Sequence, residues 1–298
     1  MEKDDVTSIL KWAGGKRRIV RFLSRFTPEI IDRYYEPFLG SGSLFLHLAQ
    51  RKPRFKAVLS DSNNDLINVY KCVRDNVRDF IDILEIHQSN YYKNPKDYYY
   101  YMRDVYSPQN NLEIGARLLF LNKTCYNGLY RVNRSGSFNV PHGTYARPTI
   151  CNRKKLEAFS EILQRADAEI ICDYYHNVTA KCQAGDFVYL DPPYFPLNKT
   201  SYFRDYTKDD FGFVEQTALA GEFRRLSSIG CTALLSNSNS DFVTNLYKEF
   251  NIMTISTIRP INCNASNRLR HSELLISNKR LLFAKTAAPA FAEKISTI

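Results

Sequence analysis

Asp191-Pro192-Pro193-Tyr194 is the sharpest chemical signal in the chain. It directly follows Phe187-Val188-Tyr189-Leu190, the most apolar short run, and so reads as the tip of a buried strand. Paired prolines set a rigid bend there and expose carbonyls. The Asp191 carboxylate and the Pro192 carbonyl can both accept hydrogen bonds from an exocyclic amine, and Tyr194 can offer its ring face to a base. A rigid loop with no chemistry is the alternative.

A second signal is Phe38-Leu39-Gly40-Ser41-Gly42-Ser43, ahead of a helix expected over Leu44 to Ala49. Two glycines permit a tight turn and close approach of a ligand to the backbone, as nucleotide-like cofactors require. The third glycine of a dinucleotide fingerprint falls on Phe45, and no G-x-x-x-x-G-K-[ST] occurs, which disfavours NAD and ATP. The apolar run Ala57-Val58-Leu59 ends in Ser60-Asp61. Asp61 is placed either to accept ribose hydroxyls or, like Asn63 and Asn64, to cap the following helix. Glu36 stands before the glycine loop, where it can hold a cationic amino group or be an ordinary exposed acid. Lys11-Trp12-Ala13-Gly14-Gly15-Lys16 gathers two cations, an aromatic ring and two glycines, or is a basic lead-in. Arg268, Arg270 and His271 can touch phosphate or solvate a loop. The histidines (47, 87, 142, 176 and 271) form neither H-x-E nor H-E-x-x-H, so the zinc deaminase and zincin classes lack their ligands.

These residues need elements to hold them. Four apolar runs end in polar residues: at Asp61, at Asp173 after Ile170-Ile171-Cys172, at Asp191, and at Ser236-Asn237 after Thr232-Ala233-Leu234-Leu235. That is how an open α/β sheet builds a site beyond the carboxyl ends of its strands. Helical spacing runs from Leu66 to Leu84 and from Phe213 to Leu226. Further strands are expected over Ile252 to Ile258 and Glu273 to Ile276, with Leu281 to Phe283 as a hairpin partner. The stretch from about residue 85 to 155 breaks this rhythm. It is rich in tyrosine and basic residues, with a helix expected over Leu112 to Leu121 and a β-hairpin over Val132 to Val140 turning at Arg134-Ser135-Gly136. It reads as an inserted, mostly separate lobe.

Composition agrees with a polyanionic partner. The 298 residues carry 41 Lys and Arg against 31 Asp and Glu, a net charge of +10, with 20 Tyr, 19 Phe and one Trp. The seven cysteines form no C-x-x-C pair, which argues against a disulfide scaffold and a cysteine zinc site and points to reduced thiols in a cytoplasm. The start of the chain shows no apolar signal region, and no apolar run is long enough to span a membrane.

KWAGGK, EPFLGSG, SD, ICDYY and DPPY, in this order around an aromatic basic insert, resemble the Dam-like, D12-class DNA adenine N6-methyltransferases. The resemblance runs from Lys11 to about Ile276 and includes Cys125-Tyr126-Asn127-Gly128-Leu129-Tyr130-Arg131 and Phe138-Asn139-Val140-Pro141, which look like the family's GATC-reading lobe. It implies an S-adenosylmethionine-dependent, Rossmann-like α/β fold with a seven-stranded mixed sheet (residues 1–70 and 157–298). It also implies an inserted, mostly helical, hairpin-bearing recognition domain (71–156). By the same resemblance, Trp12 and the loop Phe38, Gly40, Ser41 and Gly42 surround the cofactor, with Lys16 and Glu36 near its methionine end. Asp61 takes the ribose, and Cys172 and Asp173 flank the cofactor adenine. Asp191, Pro192, Pro193 and Tyr194 hold the target adenine, Asp191 also bordering the cofactor. Lys11 and Arg131 resemble the readers of the two guanines. Leu129 and Pro141 resemble the apolar contacts near the thymine, and Tyr126 with Asn127 the pair that disturbs and braces the flipped-out position. His142 and Thr144 depart from the aromatic and arginine of enterobacterial relatives, which puts flanking-phosphate affinity in question.

The expected partner is double-stranded DNA, with no metal and no membrane, and the protein monomeric or weakly dimeric. Two other classes share parts of the pattern. An RNA or protein-glutamine N-methyltransferase uses similar D/N-P-P-Y logic, but the YNGLYR hairpin speaks against it. A non-catalytic DNA-binding protein would not need Gly40, Gly42, Asp61 and Asp191 together.

Overall fold

A computed structural model describes residues 5–196, 211–257 and 271–280. Arg268, Arg270 and the Leu281 to Phe283 hairpin partner lie outside the described residues, as does the His271 side chain. Seven strands form one mixed sheet in the order β3-β2-β1-β4-β5-β7-β6. They are β1 (Arg33–Glu36), β2 (Lys56–Asp61), β3 (Glu169–Cys172), β4 (Phe187–Leu190), β5 (Thr232–Ser238), β6 (Asn251–Thr257) and β7 (His271–Ser277). β1 with β4, β2 with β3 and β4 with β5 pair parallel, whereas β7 runs antiparallel to both β5 and β6.

The chain divides into two compact units, residues 1–24 with 39–175 and residues 25–38 with 176–298. In the first, β2 and β3 pair in register through Asp61↔Cys172. The helices are α1 (Val20–Leu23), α2 (Ser43–Arg51), α3 (Asn64–Asp75), α4 (Val77–Lys93), α5 (Pro95–Asp104), α6 (Asn111–Thr124) and α7 (Arg153–Arg165). The helical spacing from Leu66 to Leu84 is carried by two helices, because the chain leaves helical geometry at Asn76 (φ −136°, ψ 41°) while the apolar spacing continues through it. α3 packs against α6 and, with Tyr70 and Phe159 rings 5.7 Å apart, against α7, while α6 also packs against α4 and α5. Tyr91, Tyr99 and Phe120 are buried, which absorbs much of the insert's aromatic content into packing.

The second unit holds β1, α8 (Tyr175–Thr179), β4, α9 (Phe213–Ser228), β5, α10 (Asp241–Leu246), β6 and β7. All four residues of β4 are buried. α9 closes over the strands with Leu219, Phe223 and Leu226, and the rings of Phe195, Phe213 and Phe242 cluster at 4.6–4.8 Å. Strand order reverses between β1 and β4, the place in an open parallel sheet where a crevice forms beyond the carboxyl ends. No helix among the described residues is long and apolar enough to cross a membrane.

Candidate active site

In the second unit, β1 ends at Glu36 and β4 delivers Asp191. Glu36 is buried and accepts a hydrogen bond from Tyr34 Oη at 2.9 Å. Asp191 acts electrostatically on three phenols, those of Tyr34, Tyr189 and Tyr194. Burial first, and the neighbouring carboxylates second, push all three well above the usual phenol range, so they are neutral hydrogen-bond donors at physiological pH. Tyr194 Oη donates to Glu273 Oε2 on β7 at 2.9 Å, and Tyr189 Oη lies 2.9 Å from Ser236 Oγ. A hydroxyl anchor fixes the Tyr194 ring.

The proline bend has a brace that the sequence did not reveal. Gln216 Nε2 on α9 donates to the Pro193 carbonyl at 2.9 Å. Its Oε1 accepts from Asn237 Nδ2 at 2.9 Å, and Asn237 Oδ1 receives the Phe195 amide. Gln216 and Asn237 are fully buried, so this amide chain is strong and poorly replaceable. The strand end at Ser236-Asn237 was the visible signal, but its role as a brace depends on α9. Phe38 packs edge-on to Phe211, 5.6 Å between centroids.

In the first unit, the Asp61 carboxylate clamps the glycine loop. Its Oδ2 accepts the Gly40 amide and its Oδ1 the Asn63 amide, each at 3.0 Å. The helix cap is Asn63, whose Oδ1 accepts the Leu66 amide at 2.9 Å. Asp61 is therefore not the cap. Burial raises its pKa while the backbone amides lower it. Gly40 has φ +46°, and a Cβ there would lie 3.0 Å from Trp12 Cδ1, so only glycine lets the loop meet the indole. Ser41 Oγ and Ser43 Oγ are 2.8 Å apart at the start of α2. Lys16 is buried and its Nζ donates to the Gly14 carbonyl at 2.7 Å. At the end of β3 the Asp173 amide donates to the Asp61 carbonyl, and Cys172 is exposed. A carboxylate beside a glycine turn, an indole, and two adjacent strand ends can hold a nucleoside through its hydroxyls and its ring. This donor set fits S-adenosylmethionine.

In the same unit Asn122, which the sequence did not single out, ties Lys11 to the turn at Gly128. Asn122 is buried on α6. It accepts the Lys11 amide at 2.9 Å and donates to the carbonyls of Lys11 at 2.7 Å and Gly128 at 3.1 Å. Gly128 (φ +64°) lies so close to Lys11 that a Cβ would sit 2.5 Å from Lys11 Cδ. Tyr126, Leu129 and Pro141 are exposed, and Asn127 adopts φ 54°. The Tyr126 amide donates to the Pro141 carbonyl at 2.9 Å. The hairpin forms as expected, with Val132 bridging Phe138 and Asn133 organising the turn. Arg131 Nε and Nη2 donate to Asn139 Oδ1 and its carbonyl, at 2.7 and 3.1 Å. Lys11 Nζ donates to Tyr145 Oη and lies 4.3 Å above that ring's centre. His142 turns inward, its Nε2 2.8 Å from Tyr91 Oη, and Thr144 is exposed. Lys123 is a further cation here. Burial, with Lys155 and Lys11 nearby, lowers its pKa to about 8, and among the described residues nothing neutralises it.

The model of the D12 class of N6 adenine-specific DNA methyltransferases matches residues 12–261. The chain is 40% identical over 289 residues to the type II methyltransferase M.MjaIII of Methanocaldococcus jannaschii, covering 92% of this chain and 99% of that protein. It is 36% identical over 281 residues to the type II methyltransferase M1.LlaDCHI of Lactococcus lactis subsp. cremoris, covering 93% and 96%. To the DNA adenine methylase of Serratia marcescens it is 34% identical over 271 residues, covering 90% and 97%. With two aromatic-lined carboxylates at the sheet's switch point and near full-length similarity to adenine methylases, the chain belongs to the D12 class and is an S-adenosylmethionine-dependent, adenine-specific DNA methyltransferase.

Proposed function

We propose that the target is adenine within GATC, that residues 71–156 read the site, and that residues 1–70 and 157–298 carry out the transfer in the cytoplasm. The observation that carries the chemistry is Asp191 among neutral phenols at the end of β4. The adenine amine is a poor nucleophile because its lone pair is spread into the ring. Asp191 and the Pro192 carbonyl accept its two hydrogens, localise the lone pair, and stabilise the positive charge that grows on nitrogen. The bound cofactor supplies an activated sulfonium methyl. Glu36 and Lys16 bind its methionine end, Asp61 its ribose, and Trp12, Phe38, Gly40, Ser41, Gly42, Cys172 and Asp173 enclose the rest. Transfer would require amine and methyl to be brought in line at near-attack distance. The amine is paired within the duplex, so the base must leave the stack at a cost of a few kcal/mol. Tyr194, its ring fixed by Glu273, returns roughly 1–3 kcal/mol by stacking. Tyr126 and Asn127 brace the vacated position, Leu129 and Pro141 meet the thymine, and Lys11 and Arg131 read the guanines. Mapping methylated adenines in DNA from cells expressing the chain tests this. A motif other than GATC, such as another short adenine-containing site, replaces the target assignment without touching the transfer chemistry.

Asp61→Ala is expected to weaken cofactor affinity roughly 10- to 100-fold, the equivalent of one charge-assisted hydrogen bond to the ribose. Calorimetric titration reads it, with a melting curve beside it because the Gly40 clamp is lost as well. Unchanged affinity would leave Asp61 a loop clamp alone.

Lys123 predicts a pH dependence. A phosphate contact raises its pKa above the free value of about 8, so its contribution to DNA affinity is complete below pH 8 and fades as pH rises past it. Duplex affinity should therefore fall above pH 8 in the wild type, and fall less in Lys123→Arg, whose charge persists. Parallel pH profiles would remove Lys123 from the interface.

A further inference from the structure

The first unit carries a groove whose arginines play no part in the site described above, although Ser43 of the glycine loop also lines it. It has a volume of about 750 Å³ and is lined by Arg17, Arg18, Arg21 and Arg51, with Asp5 the one carboxylate among its lining residues. Its walls are built rather than incidental. Gln50 on α2 receives the Val6 amide at 2.7 Å and donates to the Val6 carbonyl at 2.9 Å, and Lys155 Nζ donates to the Ser8 carbonyl at 2.6 Å. Asp5 is engaged by Arg51 and lies 4.0 Å from Arg21, so one carboxylate serves two guanidiniums. Arg17, Arg18 and Arg21 are exposed, and Arg17 forms no hydrogen bond or ion pair among the described residues. Burial and the adjacent Arg51 lower the pKa of His47, so the groove's charge at neutral pH comes from the guanidiniums.

The groove is coupled electrostatically to the base-reading end through intervening lysines. Lys11 and Lys155 both repel Lys123, and Arg17 repels Lys155. Four cations that feel one another in sequence, Lys11, Lys123, Lys155 and Arg17, thus lead from the loop holding Lys11 to the groove. Folding has placed these like charges within electrostatic reach of one another, an arrangement that a polyanion running along the track relieves. Chain geometry limits the distance. Arg17 is six residues from Lys11 and Arg21 ten, so their Cα atoms lie within about 21 and 36 Å of it. At about 3.4 Å per nucleotide this is at most some six to ten nucleotides from the base that Lys11 meets. Guanidinium groups at that spacing suit phosphodiester oxygens, which they meet with paired N–H donors.

We propose that the Arg17–Arg21 groove is a DNA-backbone site that binds phosphates flanking the methylated sequence and extends the footprint beyond the bases read. The proposal rests on the assignment of Lys11 to the DNA face. The test uses the full-length protein and duplexes centred on whichever sequence is found methylated in expressing cells, so a target other than GATC does not affect it. Flanks are lengthened stepwise from about two to about twelve base pairs, past the reach set by the chain. Wild-type affinity should rise with flank length and then level off. Arg17→Ala/Arg21→Ala should lose most of that rise, binding the longest duplex at least about tenfold more weakly, with a salt slope shallower by about 1.8 for two lost contacts. On the shortest duplex its affinity and single-turnover rate should match wild type, as should its cofactor affinity. Arg17→Lys/Arg21→Lys should keep the salt slope. An equal loss at every flank length, or a double-alanine variant that gains from longer flanks as wild type does, overturns the proposal.

Discussion

Asp191→Ala should abolish methyl transfer almost completely, by about 10²–10³-fold at the least, the range for removing one preorganised group from a developing charge. Asp191 has a greater share here than that, because it is the charged partner of the amine and stands where the Tyr34, Tyr189 and Tyr194 phenols are all neutral. None of those phenols can replace it as a base or as a counter-charge near neutral pH. Duplex affinity should fall far less, since phosphate contacts carry most of it. Asp191→Asn keeps the shape but presents a donor in place of one acceptor, and should be nearly as slow. The measurement is a single-turnover rate at saturating cofactor and duplex, with binding measured separately. A near-normal rate in Asp191→Ala would end the amine-activation mechanism.

How much of this was legible beforehand depends on how local the cause is. β4 follows its expected bounds because four consecutive apolar residues between two aspartates, the second followed by a proline pair, admit little else. The hairpin at Val132 to Phe138 is equally local, since Asn133, Ser135 and Gly136 carry their own turn chemistry. β1 was not read as a strand. In Arg33-Tyr34-Tyr35-Glu36 only Tyr34-Tyr35 leans apolar, too short a run to mark a strand, and its burial comes from pairing with β4. α7 carries a weak signature in the sequence, because charged residues hide Leu156, Phe159 and Leu163, which face inward at helical spacing. The choice between cap and ligand for Asp61 could not be made from sequence either, because Asn63 and Asn64 are equally good caps. The structure gives that task to Asn63 and leaves the Asp61 carboxylate on Gly40. Residues that assemble the site across long separations, such as Asn122 joining Lys11 to Gly128 and Gln216 joining Pro193 to Asn237, have no local signature at all.

Arg131→Ala should relax discrimination at one base pair while changing bulk electrostatics little. The hairpin presents this side chain in a defined pose. Nε and Nη2 each give one hydrogen to Asn139, which leaves the outer fork of the guanidinium, from Nη1 and Nη2, facing away from its own backbone. That fork matches O6 and N7 of guanine, a pairing worth roughly 1–3 kcal/mol of discrimination, or about 5- to 150-fold in relative rate. The variant should therefore lose activity on GATC and tolerate a substituted fourth base pair better than wild type. Asn139→Ala should move the same way to a smaller degree, because it frees the guanidinium without removing it. The salt slope should change little, in contrast to the Arg17 and Arg21 variants, since a base contact releases no phosphate counterion. The measurement is the methylation rate on GATC and on duplexes altered at the fourth position, each at two salt concentrations. A uniform loss on every duplex together with a shallower salt slope would make Arg131 a backbone contact and would remove the main residue-level support for GATC as the target.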